Sequence, residues 1–200
     1  MNVRFEKTFT FTAGFHYDNT LSMTNYFIKL YMVTNTTDSL SQNIALGRVK
    51  HFIWNNLNNT VFISEEEAEQ CNLYLQAGIN LSTLPAEPFD QIVGIMLYSK
   101  LNAIMESRLV IDELEISSDA GDNIVYLHSS DENLGPIEKS GWWHDPDMVQ
   151  NIVTDDAKIV TIHQNNSWRE FDLSWPDEDH VEKTGNIVVF ANFKDNNDTK

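Results

Sequence analysis

The chain has 200 residues, 42% of them apolar and 11% aromatic, which is enough for one domain with a substantial core. Its 13 Lys/Arg and 30 Asp/Glu give a formal net charge of −17, which argues against general nucleic-acid binding. No apolar run long enough to span a membrane and no secretory leader stand out, so we expect a cytoplasmic protein with no membrane contact.

Two strands are predicted near the start of the chain. Val3–Phe15 alternates apolar and polar residues, which indicates a strand with one buried face. Asn25–Thr34 is apolar on both faces, which indicates a strand that is covered on both sides. The polar stretch Tyr17–Thr24 is interpreted as a long connecting loop.

Helices are predicted in the middle of the chain. Asn43–Leu57 has an apolar face at helical spacing. A short apolar run, Val61–Ile63, and an acidic helical segment, Glu65–Leu75, follow, and Gln76–Ala86 is interpreted as loop. Phe89–Glu106 predicts a second long helix, with Ile95 among its apolar positions.

A hairpin is predicted after that helix. Leu109–Ser117 and Asn123–His128 have strand character, and the Asp-Ala-Gly-Asp sequence at residues 119–122 favours a turn between them. The resulting fold class is α+β with a ββααββ order. We expect an antiparallel four-stranded sheet with the two long helices on one face and with Phe11 and Ile95 in the core.

Residues 1–130 form this predicted domain, and residues 131–200 are expected to form a β-rich appendage with a disordered C-terminal tail. The appendage strands are predicted at Lys158–His163, Trp168–Leu173 and Asn186–Phe193.

The element order and several short stretches resemble the tunnelling-fold family of pyruvoyl- and carboxy-tetrahydropterin synthases. Phe9–His16 resembles the family's opening strand, which ends in a small residue and a zinc-binding histidine. Asn25-Tyr26 resembles the Asn-Tyr that follows the family's His-Gly-His, and Pro85-Ala86-Glu87 its helix opening. Asp122–Tyr126 resembles the last strand. The resemblance covers residues 3–130.

The departures from the family bear on chemistry. The resemblance implies a zinc ion bound by three histidines, but only His16 has a counterpart, and Ser22 and Thr24 stand at the other two positions. Hydroxyl groups do not replace neutral imidazoles as zinc ligands. The family's Asp-His pair falls near Asn58-Asn59, where neither side chain titrates. We therefore expect no metal, no cofactor and no catalytic residues.

The resemblance also implies a carboxylate that anchors a pterin ring near the last hairpin. Glu113, Glu115 and Asp119 stand in that region, and a carboxylate can accept two N–H bonds from such a ring edge. The alternative is that these acidic side chains belong to a solvated strand face and anchor no ligand. The predicted ligand-binding set consists of Glu115, Asp119, His16, Ser22 and Thr24.

The functional prediction is a non-catalytic, homo-oligomeric binder of a purine- or pterin-like small molecule, or a scaffold, with its site at a subunit boundary near Asp119 and His16. Two alternatives stay open. The first is an active zinc-dependent lyase whose ligands lie elsewhere in the sequence. The second is an acidic protein-interaction module, which would be a monomer if Lys158–Phe193 covered a sheet edge.

Overall fold

The computed structural model describes residues 3–34, 37–130 and 134–147. Its elements, in chain order, are β1 (Val3–Tyr17), β2 (Thr20–Thr34), α1 (Ser39–His51) with a π-helical extension (Phe52–Leu57), β3 (Val61–Ser64), α2 (Ala68–Gln76), β4 (Leu81–Leu84), α3 (Asp90–Met105), β5 (Val110–Ser118), β6 (Tyr126–Ser129) and two 3₁₀ turns (Gly135–Glu138 and Trp142–His144). The α+β class is confirmed.

Among the described residues, the sheet has six strands in the order β4-β3-β1-β2-β5-β6. The pairs β1–β2, β2–β5 and β5–β6 are antiparallel, whereas β3 pairs in parallel with both β1 and β4. The predicted four-stranded antiparallel sheet is therefore wrong. The prediction lacked β4, a four-residue strand within the stretch interpreted as loop. It also lacked the pairing of β3 with β1 and β4. With α2 as the crossover, β3 and β4 form a parallel β-α-β unit.

The β1–β2 connection is a tight turn and not the predicted long loop. Both residues of the turn, Asp18 and Asn19, have positive φ angles, of 49° and 56°. Two-residue hairpin turns of this kind match the twist of the flanking strands, and Asp and Asn tolerate the left-handed region. Thr20–Asn25 consequently lies within β2 and pairs with β1.

The main core lies between the sheet and the pair α1 and α3. Phe11 and Ile95 are buried in it, as predicted. The ring of Phe11 stacks on Tyr26 at 5.0 Å between centroids and meets Phe62 edge-on at 6.4 Å.

Helix α2 packs on the opposite face of the sheet. Its Cys71 and Tyr74 form a second apolar cluster with Val61 and Ile63, while the intervening Phe62 belongs to the main core. Because successive strand residues point to opposite faces, the two clusters lie on opposite sides of β3. The prediction that the two long helices share one face therefore holds for α1 and α3, and α2 lies on the other face.

The segment after β6 reaches the β4 edge of the sheet. Trp142 donates its indole N–H to the carbonyl of Thr83 at 3.1 Å. The carbonyls of Asn80 and Leu84 accept hydrogen bonds from the β3 side, so the Thr83 carbonyl points away from β3. Trp142 thus covers part of the β4 edge of the sheet.

Gly94 marks a close approach between α3 and the sheet. A Cβ at this position would lie against His128 Nε2 and 2.7 Å from Ile116 Cγ2, and both side chains are buried. We expect Gly94→Ala to lower the free energy of unfolding by about 1–3 kcal/mol, because the overlap outweighs the gain in helix propensity. Gln91→Ala, at an exposed position of the same helix, is the control. Equal urea midpoints for the two variants would contradict this packing.

The predicted strands of the C-terminal appendage lie outside the described residues. Within the described ranges, no helix is both long enough and apolar enough to cross a membrane.

Candidate functional site

An open cleft of about 390 Å³ forms where β5 ends and β2 continues towards its hairpin with β1. The last β2–β5 pair is Tyr26 with Ser118, and after Ser118 the chain leaves the sheet. The cleft is lined by Thr12, Met23, Thr24, Asn25, Asp119 and Ala120.

A chain of hydrogen bonds fixes the Asp119 carboxylate in this cleft. Thr12 Oγ1 donates to Asn25 Oδ1 at 2.8 Å, and Asn25 Nδ2 donates to Asp119 Oδ2, also at 2.8 Å. The threonine hydroxyl therefore sets which way the Asn25 amide faces. Within the part of the chain that the structure describes, Asp119 Oδ1 accepts no hydrogen bond and remains available to a ligand.

The backbone of the same loop is tied to β2. The Asp119 N–H donates to the Asn25 carbonyl at 3.2 Å, and the Ala120 N–H donates to Thr24 Oγ1 at 3.0 Å. The wall of the cleft is consequently fixed by both backbone and side-chain contacts.

Asn58 has a structural role beside the cleft. Its Oδ1 accepts the Thr12 backbone N–H at 3.1 Å, while the Asn59 N–H donates to the Thr12 carbonyl at 2.8 Å. Asn58 and Asn59, at the position of the Asp-His pair in the resembled family, thus bond to both backbone groups of Thr12 on β1.

The predicted site residues separate into two faces. Thr24 and Asp119 meet at the cleft. His16, Ser22 and Thr24 pair across the hairpin with Leu21, Phe15 and Ala13 respectively. By strand alternation, His16 lies on the face opposite Ser22 and Thr24. The hairpin therefore does not bring these three residues together at one point.

His16 is buried beneath α2. Its side chain is 2% exposed and its ring meets that of Tyr74 edge-on, at 5.7 Å between centroids. Neither ring nitrogen has a hydrogen-bond partner among the described residues. Among those same residues, no group of three or more His, Cys, Asp or Glu side chains is placed to hold a metal ion.

Glu115 lies apart from the cleft, on the strand face that neither α1 nor α3 covers. It accepts a hydrogen bond from the Tyr31 hydroxyl at 2.7 Å and pairs across the sheet with Lys29. The Lys29 ammonium and the Arg4 guanidinium both lie over the Tyr31 ring, at 4.7 and 5.4 Å from its centroid. Glu115 is thus part of a polar network on the strand surface.

Sequence reasoning did not select Thr12 and Asn25 as ligand-site residues. Alternation alone places Thr12 on a solvated strand face, and its bond to Asn25 depends on the exact β1–β2 register. Asn25 contacts Asp119 across 94 positions of sequence, which no local pattern reports.

The fold has distant counterparts among solved structures. An uncharacterized protein from Wolinella succinogenes aligns with a TM-score of 0.47 and 10% identity, over 66% of this chain and 99% of that one. The 6-pyruvoyl tetrahydropterin synthase of Plasmodium vivax gives 0.43 and 10%, over 64% and 97%. The Plasmodium falciparum synthase gives 0.42 and 15%, over 64% and 96%. No protein-family profile and no curated protein matches the sequence.

These values describe a distant similarity of fold.

Proposed function

We propose that the chain binds a planar, purine- or pterin-like small molecule at the Asp119 cleft and does not convert it. The observation that carries this proposal is the orientation of the Asp119 carboxylate. Asn25 holds one oxygen, and Oδ1 accepts no hydrogen bond from the described residues. A fixed acceptor beside an open cleft fits a ligand that presents adjacent N–H donors.

The ligand class follows from carboxylate chemistry. An ionised carboxylate has about four lone-pair sites, of which Asn25 uses one at Asp119. A ring edge with an N–H next to an amino group, as in guanine and in 2-amino-4-oxopteridines, can donate two parallel hydrogen bonds to it. Met23 lines the same cleft and supplies a polarisable apolar surface for a flat ring.

Calorimetric titration with guanosine, neopterin and adenosine tests this proposal. We expect guanosine or neopterin to bind with a stoichiometry of one per chain. Adenosine should bind at least about tenfold more weakly, because its ring edge lacks the adjacent pair of donors. Equal affinity for guanosine and adenosine, or no binding of guanosine and neopterin, would contradict the proposal.

Binding without zinc chemistry is the second part of the proposal. The separation of His16 from Ser22 and Thr24 supports it, since no three-ligand zinc site forms from these positions. We expect elemental analysis of the purified protein to give far less than one zinc per chain, and added zinc to leave guanosine affinity unchanged. Stoichiometric zinc would support the alternative of a zinc-dependent lyase.

We further propose that the chain is a homo-oligomer joined through the β6 edge. Among the described residues β6 pairs only with β5, and exposed Ile124, Val125 and Leu127 lie beside or within it. Trp142 occupies part of the opposite edge, which favours β6 as the contact. Light scattering should give a multiple of 23.0 kDa. A clean monomer at high concentration would remove this part of the proposal and favour the acidic interaction module.

A further inference from the structure

Asp90, the first residue of α3, lies directly behind the loop that forms one wall of the cleft. The Ser118 hydroxyl donates to Asp90 Oδ1 at 2.9 Å, and it accepts the Gly121 backbone N–H at 3.0 Å. A Cβ at Gly121 would lie 2.5 Å from Asp90 Oδ2, so the loop backbone packs against the carboxylate itself.

The same loop carries the groups that face the ligand site. Asp119 and Ala120 line the cleft, and their backbone N–H groups donate hydrogen bonds to β2. Asp122 and Asn123, which end the loop, both have positive φ angles, of 54° and 57°. Non-glycine residues keep this conformation where surrounding contacts fix it. The Asp90–Ser118–Gly121 chain is the contact that fixes the loop from the helix side.

We propose that Asp90 is a positioning residue: its carboxylate orients the Ser118 hydroxyl, and the hydroxyl fixes the Gly121 amide and with it the cleft wall that carries Asp119. Asp90 does not line the cleft, so it acts on a ligand only through Ser118 and the loop. The effect on ligand affinity rests on the proposed function, whereas the effect on loop geometry does not.

The ionisation of Asp90 makes this link measurable. Burial raises the pKa of the Asp90 carboxyl, and the hydrogen bond from Ser118 opposes that rise. The group facing it from β2 is the buried phenol of Tyr26, whose own pKa is raised by burial first and by Asp90 second. His128, on β6, lies against Gly94, one helical turn after Asp90. On acidification Asp90 becomes neutral, and the Ser118 hydroxyl loses its charged acceptor.

A pH titration of backbone amide shifts in the ligand-free protein tests the proposal. In the wild type, we expect the Gly121 and Ala120 amides to follow a transition at a pH above the ordinary range of an aspartate. The transition should be absent in Asp90→Asn and clearly smaller in Ser118→Ala, where the carboxylate still packs against the loop. It should persist in the control Asp112→Asn, which removes an exposed aspartate on the same β5 strand. An unchanged Gly121 titration in Asp90→Asn or in Ser118→Ala would overturn the proposal.

Guanosine titration of the same variants separates the effect of Asp90 on ligand affinity from its effect on loop geometry. Asp90→Asn should weaken binding by about tenfold, and Asp112→Asn should leave it unchanged. If the wild type does not bind guanosine, the proposed ligand class fails, while the amide titration still decides the role of Asp90. If Asp90→Asn binds guanosine as tightly as the wild type, Asp90 does not position the site.

Discussion

Replacing Phe11 by alanine is expected to lower the free energy of unfolding by about 3–5 kcal/mol, as for large truncations in a well-packed core. Phe11 is 4% exposed on β1, which has paired strands on both sides. Its ring contacts Tyr26 on one neighbouring strand and Phe62 on the other. The truncation therefore leaves a cavity between three strands that are held in place by their ladders, so little collapse is expected.

Urea denaturation of Phe11→Ala and Thr10→Ala measures this effect. Thr10 is the neighbouring, exposed residue on the opposite strand face. Its truncation should change the free energy of unfolding by no more than about 0.5 kcal/mol. Similar unfolding midpoints for Phe11→Ala and the wild type would show that β1 does not bury the face described.

Lys100 is expected to make the protein more stable as the pH rises from 8 to 10.5. The side chain is 1% exposed in the middle of α3. Its ammonium donates to the carbonyls of Trp142 and Asp145 and lies over the rings of Phe52 and Trp142. Burial lowers its pKa from 10.5 to about 8, against the opposing charges of Asp145 and Asp147.

The direction of the effect follows from proton counts. Between pH 8 and 10.5 the unfolded chain keeps the Lys100 proton and the folded chain has released it, so the unfolded state binds more protons. Stability from this group therefore rises with pH over that window, by up to about 3 kcal/mol, and is constant above it. The neutral amine retains two N–H donors for the two carbonyls.

Lys100→Met is the matched variant, because it keeps the length of the side chain and removes the titration. Urea denaturation at a series of pH values should show the wild type gaining stability relative to Lys100→Met between pH 8 and 10.5. A constant difference across this window would mean that the buried ammonium is not destabilised as described.

The longer elements could be predicted because their sequence period is clear. The alternation from Val3 to Phe15 and the helical spacing from Phe89 to Glu106 each extend over more than ten residues, and both elements are present. β4 has only four residues, and half of its pattern is hydroxyl side chains, so it carries little signal of its own. It forms because β3 offers it a parallel edge.

The site could be predicted only in part, for reasons of register and distance. The resemblance points to Asp119 and Thr24, and both line the cleft. The resemblance also groups His16 and Ser22 in one site, and the polar stretch Tyr17–Thr24 is interpreted as a loop. The turn at Asp18-Asn19 instead keeps the strands in register and sends the two side chains to opposite faces. Asn25 contacts Asp119, and Asp90 contacts Ser118, across 94 and 28 positions of sequence, which local patterns do not cover.

Guanosine titration of Asp119→Asn beside Glu115→Gln is the most direct test of ligand binding at the Asp119 cleft. Both variants neutralise one acid in the same region of sequence, but only Asp119 lines the cleft. Asp119→Asn should weaken guanosine binding by about 100-fold, since an amide presents one acceptor where the carboxylate presents two. Glu115→Gln should bind as the wild type does. Unchanged binding in Asp119→Asn, or an equal loss in both variants, would contradict the account of the site.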